Sequence, residues 1–283
     1  MKTKESVLKL IFLLCAAFSI LAVLLICFFL FANGIPAIHK IGSIDFIFGQ
    51  KWKPGNELYG IFPMIVGSIY VTAGAIIFGV PVGLMTAIFL SKFCSEKFHG
   101  ILKSGIDLLA GIPSVVYGFF GLMVIVPFVR NVFGGNGSSI LTASLLLGMM
   151  ILPTIISVSE SSLNAVSSFY YEGSRALGAT HERSVFMVIL PAAKSGILAG
   201  IILGIGRAIG ETMAVIMVAG NQARIPDSIL KGVRTLTANI VIEMGYATDL
   251  HRGALIATGV VLFVFIIGIN MIFNAVKSHV MNT

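Results

Sequence analysis

The sequence predicts an all-α membrane protein with six transmembrane helices. The first observation is composition: mean hydropathy is +1.00, and only 11% of residues are charged, against roughly 25% in average chains. The second is the set of charge-free intervals at 10–39, 58–91, 108–129, 131–159 and 253–276, joined by 195–223, which carries only Arg207 and Glu211. Each exceeds the ~20 apolar residues that cross a hydrocarbon core of about 30 Å. Spans are therefore expected near 10–32, 62–90, 106–129, 140–159, 191–219 and 253–276.

The first span follows Lys2, Lys4 and Lys9, a basic start like that of a secretory signal. Its apolar run is longer than the roughly 7–15 residues of a signal core, and no A-x-A-like site follows, so an uncleaved anchor is expected. The second span carries Pro63 and Pro81 with Gly67, Gly74, Gly79 and Gly83, which predicts a tilted or kinked helix. The third contains GIPSVVYGFFG (111–121), and the fourth carries Pro153. Trp52, between Lys51 and Lys53 in an outer loop, reads as an interfacial anchor. In the outer loop 221–252, Pro226-Asp227 suits a helix start, and Thr237 to Met244 before Gly245 reads as a short capped helix. The expected organisation is an anchor helix with its outer loop at 1–60 and a membrane core at 61–283, without a soluble appendage or an internal repeat.

Six crossings put both termini on one side. With that side inside, inner segments hold ten Lys/Arg and outer segments eight. The compact Lys92–Lys103 loop and the N-terminus favour a cytoplasmic placement of both termini. The net charge of +7 does not indicate nucleic acid, because no Lys/Arg cluster or aromatic-interleaved patch is present. Cys15, Cys27 and Cys94 form no CxxC pair, and the histidines are scattered, so no metal site and no cofactor is expected. No GxxxxGK[ST] occurs, and neither Lys103-Ser104 nor Lys194-Ser195 follows a glycine. Nucleotide hydrolysis, and enzymatic activity generally, are not expected of this chain.

Residues 159–191, SESSLNAVSSFYYEGSRALGATHERSVFMVILP, are too polar for a span and too periodic for a linker. Gly178 is placed to end one short helix, and Thr180 before His181 and Glu182 to start the next. The helix pair would lie on the inner membrane surface and present Ala176 and Leu177 beside Glu172 and Arg175, an apolar knob with a charged rim suited to a partner's groove. Glu172-Gly173-Ser174, three residues, Gly178, nine residues, then Val188-Ile189-Leu190-Pro191 resembles the EAA motif of ATP-binding-cassette importer permeases. Gly173 and Ser174 replace its two alanines, and Val188 its isoleucine. The resemblance implies a type I importer permease fold in which Glu172, Gly173, Ser174, Arg175, Ala176, Leu177 and Gly178 form the ATPase coupling helix.

GRAIGETMAV (206–215), IPSVVYG (112–118), YGIFPMIVGSIYVT (59–72) and LTANIVIEMG (236–245) together resemble the PstC family of phosphate importer permeases. That resemblance implies inorganic phosphate as cargo, a sister permease PstA, two copies of the ATPase PstB, and the phosphate-binding protein PstS, in a bacterial inner membrane.

On a continuous helix, Gly196, Gly200, Gly204, Arg207 and Glu211 share one face, within roughly 80° at about 100° per residue. Small residues allow close helix approach, so the charges would face a helix or a pathway and not lipid. Arg207 and Glu211 either form an i,i+4 ion pair that locks the bundle, or Arg207 meets an anion in passage. The family resemblance favours passage. Glu211 would then accept a hydrogen bond from a protonated phosphate, which sulfate cannot supply, or neutralise Arg207 in the empty pathway. Ser114, Tyr117, Thr154, Ser157 and Thr212 could add hydroxyl donors or serve only as local helix hydrogen-bonders. Asp107 is expected to be interfacial. The rival functions are a permease for another oxyanion such as molybdate or sulfate, an ion-gradient transporter or channel, and a sensor of phosphate status.

Overall fold

Close helix contacts through glycine organise the bundle. A computed structural model describes the backbone of residues 2–282 and the side chains of 8–272 and 275. The side chains of Lys2, Lys4, Lys277 and His279, part of the expected charge bias and histidine set, lie outside the described ones. The chain begins with α1 (Lys2–Ile41) and α2 (Ser43–Phe48), then a small antiparallel hairpin of β1 (Trp52–Lys53) and β2 (Leu58–Tyr59). There follow α3 (Phe62–Ile88), extended by a π-turn at Phe89–Phe93, α4 (Glu96–Gly111), α5 (Ser114–Phe120) and α6 (Val126–Phe133). Next come α7 (Ile140–Asn164), α8 (Ser168–Ala176), α9 (His181–Ser184) and α10 (Leu190–Ala192). The last elements are α11 (Lys194–Gly210), α12 (Met213–Val218), α13 (Leu236–Met244) and α14 (Asp249–Asn282).

The apolar helix α7 is the most enclosed of the spanning segments, with Leu146, Ile151, Ile155 and Leu163 at or near zero exposure. Its neighbours approach through small residues. A Cβ at Gly79 of α3 would lie 2.8 Å from Ile151, and one at Gly204 of α11 would lie 2.9 Å from Ile155. The glycine face expected on the fifth span thus packs against α7, with Gly196 over Ser162 and Gly200 over Val158. Overpacking a filled interior costs about 1–3 kcal/mol. Gly79→Val is therefore expected to lower the thermal midpoint and the yield of the detergent-purified protein. Gly100→Ala on α4, where nothing lies within 4 Å of the added carbon, should leave both unchanged or slightly raised.

Among the described residues, five helical stretches are long and apolar enough to cross a membrane, and the bent pair 181–192 and 194–210 makes a sixth. Five of the six expected spans are therefore present as long apolar helices and the remaining one as a bent pair, with two corrections to their course. The third starts at Ser114, not near 106, and runs to Phe133. The chain leaves the helical conformation at Ile112 and Pro113, both extended, because proline disfavours helix in the residue before it. Residues 96–111 instead form α4, a separate amphipathic helix without a buried residue. The fifth span is bent by 70° at Ala193 and ends at Gly210, so 191–219 is not one helix.

The 33–61 and 219–250 segments meet at one end of the bundle. Trp52 is buried, with Nε1 donating to Glu243 Oε2 at 2.7 Å, so it is not an interfacial anchor. The carboxylate, held also by Arg234 and by His251 at 2.9 Å, draws the indole inward. The helix expected at 237–244 forms with Thr235 as its N-cap, whereas Pro226-Asp227 starts no helix and sits among bends.

Candidate functional site

The geometry around Arg207 follows from where α11 stops. Glu211 is extended (φ −68°, ψ 131°), Thr212 is irregular, and α12 restarts at Met213. This break carries Glu211 off the face it would occupy on a continuous helix. Its Oε1 instead accepts from the backbone N–H groups of Thr212 (3.1 Å) and Ala214 (3.2 Å), capping the first turn of α12. The i,i+4 ion pair is accordingly not formed: the described ion pairs do not join Arg207 to Glu211. The Arg207 guanidinium is half-buried and donates through Nη1 to Thr154 Oγ1 at 3.4 Å.

Of the expected hydroxyls, the structure therefore brings Thr154 to Arg207. Tyr117 is buried, and its hydroxyl donates to the Leu109 carbonyl at 2.9 Å, bracing the break between α4 and α5. Thr212 donates to the Gly210 carbonyl, and the Glu211 carbonyl accepts from Thr237, so α13 is tied to the break. Ser114 opens α5, half-buried. Ser157 points elsewhere and accepts from Lys103 Nζ at 2.9 Å.

Ser157 belongs to a second cluster that sequence reasoning missed. Glu160, 5% exposed on α7, receives Lys103 Nζ at 3.0 Å and pairs with His99 Nε2 at 2.7 Å. Asp107 lies 3.7 Å from Lys103 on the same helix, exposed. Glu96, His99, Lys103 and Asp107 recur every three or four residues, the polar stripe of an amphipathic helix. That stripe was the available signal that 96–111 is not part of a span.

The 172–178 segment forms the predicted helix end. No residue of α8 is buried; Phe169 is 80% and Leu177 91% exposed. Gly178 takes the left-handed conformation (φ +84°), and the Thr180 side chain accepts from Arg183 N, starting α9. Arg175 is folded back onto the Ala179 carbonyl at 2.7 Å. Nothing lies within 4 Å of a Cβ at Gly173, so its departure from alanine has no steric consequence. Tyr171 and His181 join this element to Lys92 at the end of the second span. Among the described residues, no group of three or more His, Cys, Asp or Glu side chains is arranged to hold a metal ion.

Residues 79–281 match the family model described as the binding-protein-dependent transport system inner membrane component. The chain is 37% identical over 257 residues to the probable ABC transporter permease protein YqgH of Bacillus subtilis, covering 88% of this chain and 83% of that one. It is 34% identical over 256 residues to the phosphate transport system permease protein PstC of Mesorhizobium japonicum, covering 83% and 78%. Among solved structures, a chain of the inward-facing MetNI methionine ABC transporter superposes with a TM-score of 0.64 at 19% identity, over 81% of this chain and 99% of that one.

Proposed function

The chain belongs to the family of binding-protein-dependent transport system inner membrane components, and from that premise we propose that it is the permease subunit of an ATP-driven importer of inorganic phosphate. The single observation that carries the reading is Arg207. It is a permanent cation in the last turn of α11, within the fifth span, directed to a neutral threonine hydroxyl and not to a carboxylate. An ionised group there is costly, by about 3 kcal/mol or more, and guanidinium matches phosphate oxygens through its planar donor fork. Several relatives bear the name phosphate transport system permease PstC.

In this reading both termini are cytoplasmic, and α4, α8 and α9 lie at the cytoplasmic face. Segment 1–60 anchors the core formed by 61–283. A sister permease, PstA, completes the pathway; two PstB ATPase subunits grip α8 through Glu172–Gly178, and PstS delivers the anion from outside. Nucleotide closure moves α8, the bend at Ala193 passes that motion to α11, and Arg207 meets the anion beside Thr154 and Tyr117. Ser114 and Thr212 line the route above and below. Binding in the pathway is weak, so that release is fast.

Glu211 contributes selectivity by accepting the P–OH hydrogen of protonated phosphate. Glu211→Gln retains a carbonyl oxygen able to cap α12, and replaces the other carboxylate oxygen by an uncharged NH2 that cannot accept. Uptake of labelled phosphate against sulfate competitor should lose about tenfold in preference, the effect of one charge-assisted hydrogen bond. Unchanged preference would remove this role. Competition by molybdate or sulfate as strong as by phosphate, in the unaltered protein, would reassign the cargo.

A further inference from the structure

We propose that His181 is the positioning residue that transmits displacement of α8 into the second span. The inference rests on the reading of α8 as the ATPase contact. That helix has no buried residue and meets the apolar core through the partly buried Tyr171, so the contacts made at Tyr171 carry the force it receives. His181 supplies them from both ring nitrogens. Its Nε2 lies 3.0 Å from the Lys92 carbonyl oxygen. A carbonyl only accepts, so Nε2 bears the proton and donates. In the neutral ring Nδ1 then keeps its lone pair and accepts from the Tyr171 hydroxyl at 2.9 Å.

The ring is also gripped from its sides. Phe93 stands edge-on to it at 4.8 Å and 75°, and the Tyr171 ring at 5.7 Å and 76°. Tyr171 belongs to α8 and immediately precedes Glu172, whereas Lys92 and Phe93 belong to the π-turn that closes the second span. One rigid planar ring thus bridges α8 to a π-turn whose Lys92 lies 89 residues before His181 in sequence. It ends on a π-turn, a helical register often found at functional sites. Movement of α8 is delivered to the Lys92 carbonyl, where the span can change register without breaking its upper turns.

The test uses the assembled transporter in proteoliposomes, with phosphate delivered by its binding protein, and reads phosphate transported per ATP hydrolysed. His181→Ala should lower that ratio about tenfold, as expected for two lost hydrogen bonds, with ATPase copurification unchanged. Tyr171→Phe, lacking only the hydroxyl, should lower it about threefold by the same reasoning. His181→Gln, whose side-chain N–H can reach the Lys92 carbonyl, should recover part of the loss. An unchanged ratio in His181→Ala overturns the proposal; if that variant does not assemble, an unchanged ratio in Tyr171→Phe overturns it equally. Failure of the underlying reading is separate and visible beforehand, as ATPase copurification that Leu177→Asp, at the exposed end of α8, leaves unchanged.

Discussion

Arg207→Ala should reduce phosphate uptake by about a hundredfold or more, since hydrogen bonds to charged groups contribute about 1.5–3 kcal/mol each and a guanidinium offers two to an oxyanion. Assembly should be normal. Within the chain Arg207 makes one long hydrogen bond, to Thr154 at 3.4 Å, and its removal leaves no buried carboxylate without a counter-ion, because Glu211 Oε1 is held by the amides of Thr212 and Ala214. Arg207→Lys keeps the charge and loses the fork, and should fall between, about tenfold below the unaltered protein. Uptake and membrane abundance are measured on the same cells. Loss of the protein from the membrane in Arg207→Ala would make the arginine a structural ion and remove it from the pathway.

Leu177→Asp should abolish transport by releasing the ATPase. Leu177 is 91% exposed at the end of α8, next to the left-handed Gly178 that ends the helix. Truncating or charging a central apolar anchor of an interface costs at least about 2 kcal/mol, or roughly thirtyfold in affinity. Copurification of the ATPase with the membrane subunits reads this directly. Gly100→Ala on α4, outside the 172–178 segment, is the control, since its added carbon meets nothing within 4 Å, and it should bind and transport normally. Equal ATPase recovery with Leu177→Asp would place the docking surface elsewhere.

The features legible in the sequence were those set by local chemistry. Long charge-free intervals located five spans and the bent pair of the fifth, the polar 159–191 segment located α8 and α9, and Gly178 and Thr180 marked their boundary as found. The glycine face of the fifth span was also readable, and it packs on α7. What escaped depended on distant partners or on breaks within apolar runs. Trp52 looked interfacial because its acceptor, Glu243, is 191 residues away. Glu160 looked like the start of a polar loop because His99 and Lys103 come from another helix. Helical periodicity aligned Glu211 with Arg207, but the chain leaves the helix after Gly210. Nothing within GRAIGET is a strong helix breaker apart from its glycines, and the Thr237 hydroxyl, which holds the Glu211 carbonyl from 26 residues away, is a contact periodicity does not report.

The most direct measurement is labelled phosphate flux in sealed proteoliposomes that contain either this chain alone or the chain with its sister permease and ATPase. A gate driven from its cytoplasmic handle gives no flux alone, and gives accumulation only in the full complex supplied with ATP and the binding protein. Phosphate flux through vesicles holding this polypeptide by itself, without nucleotide, would contradict it.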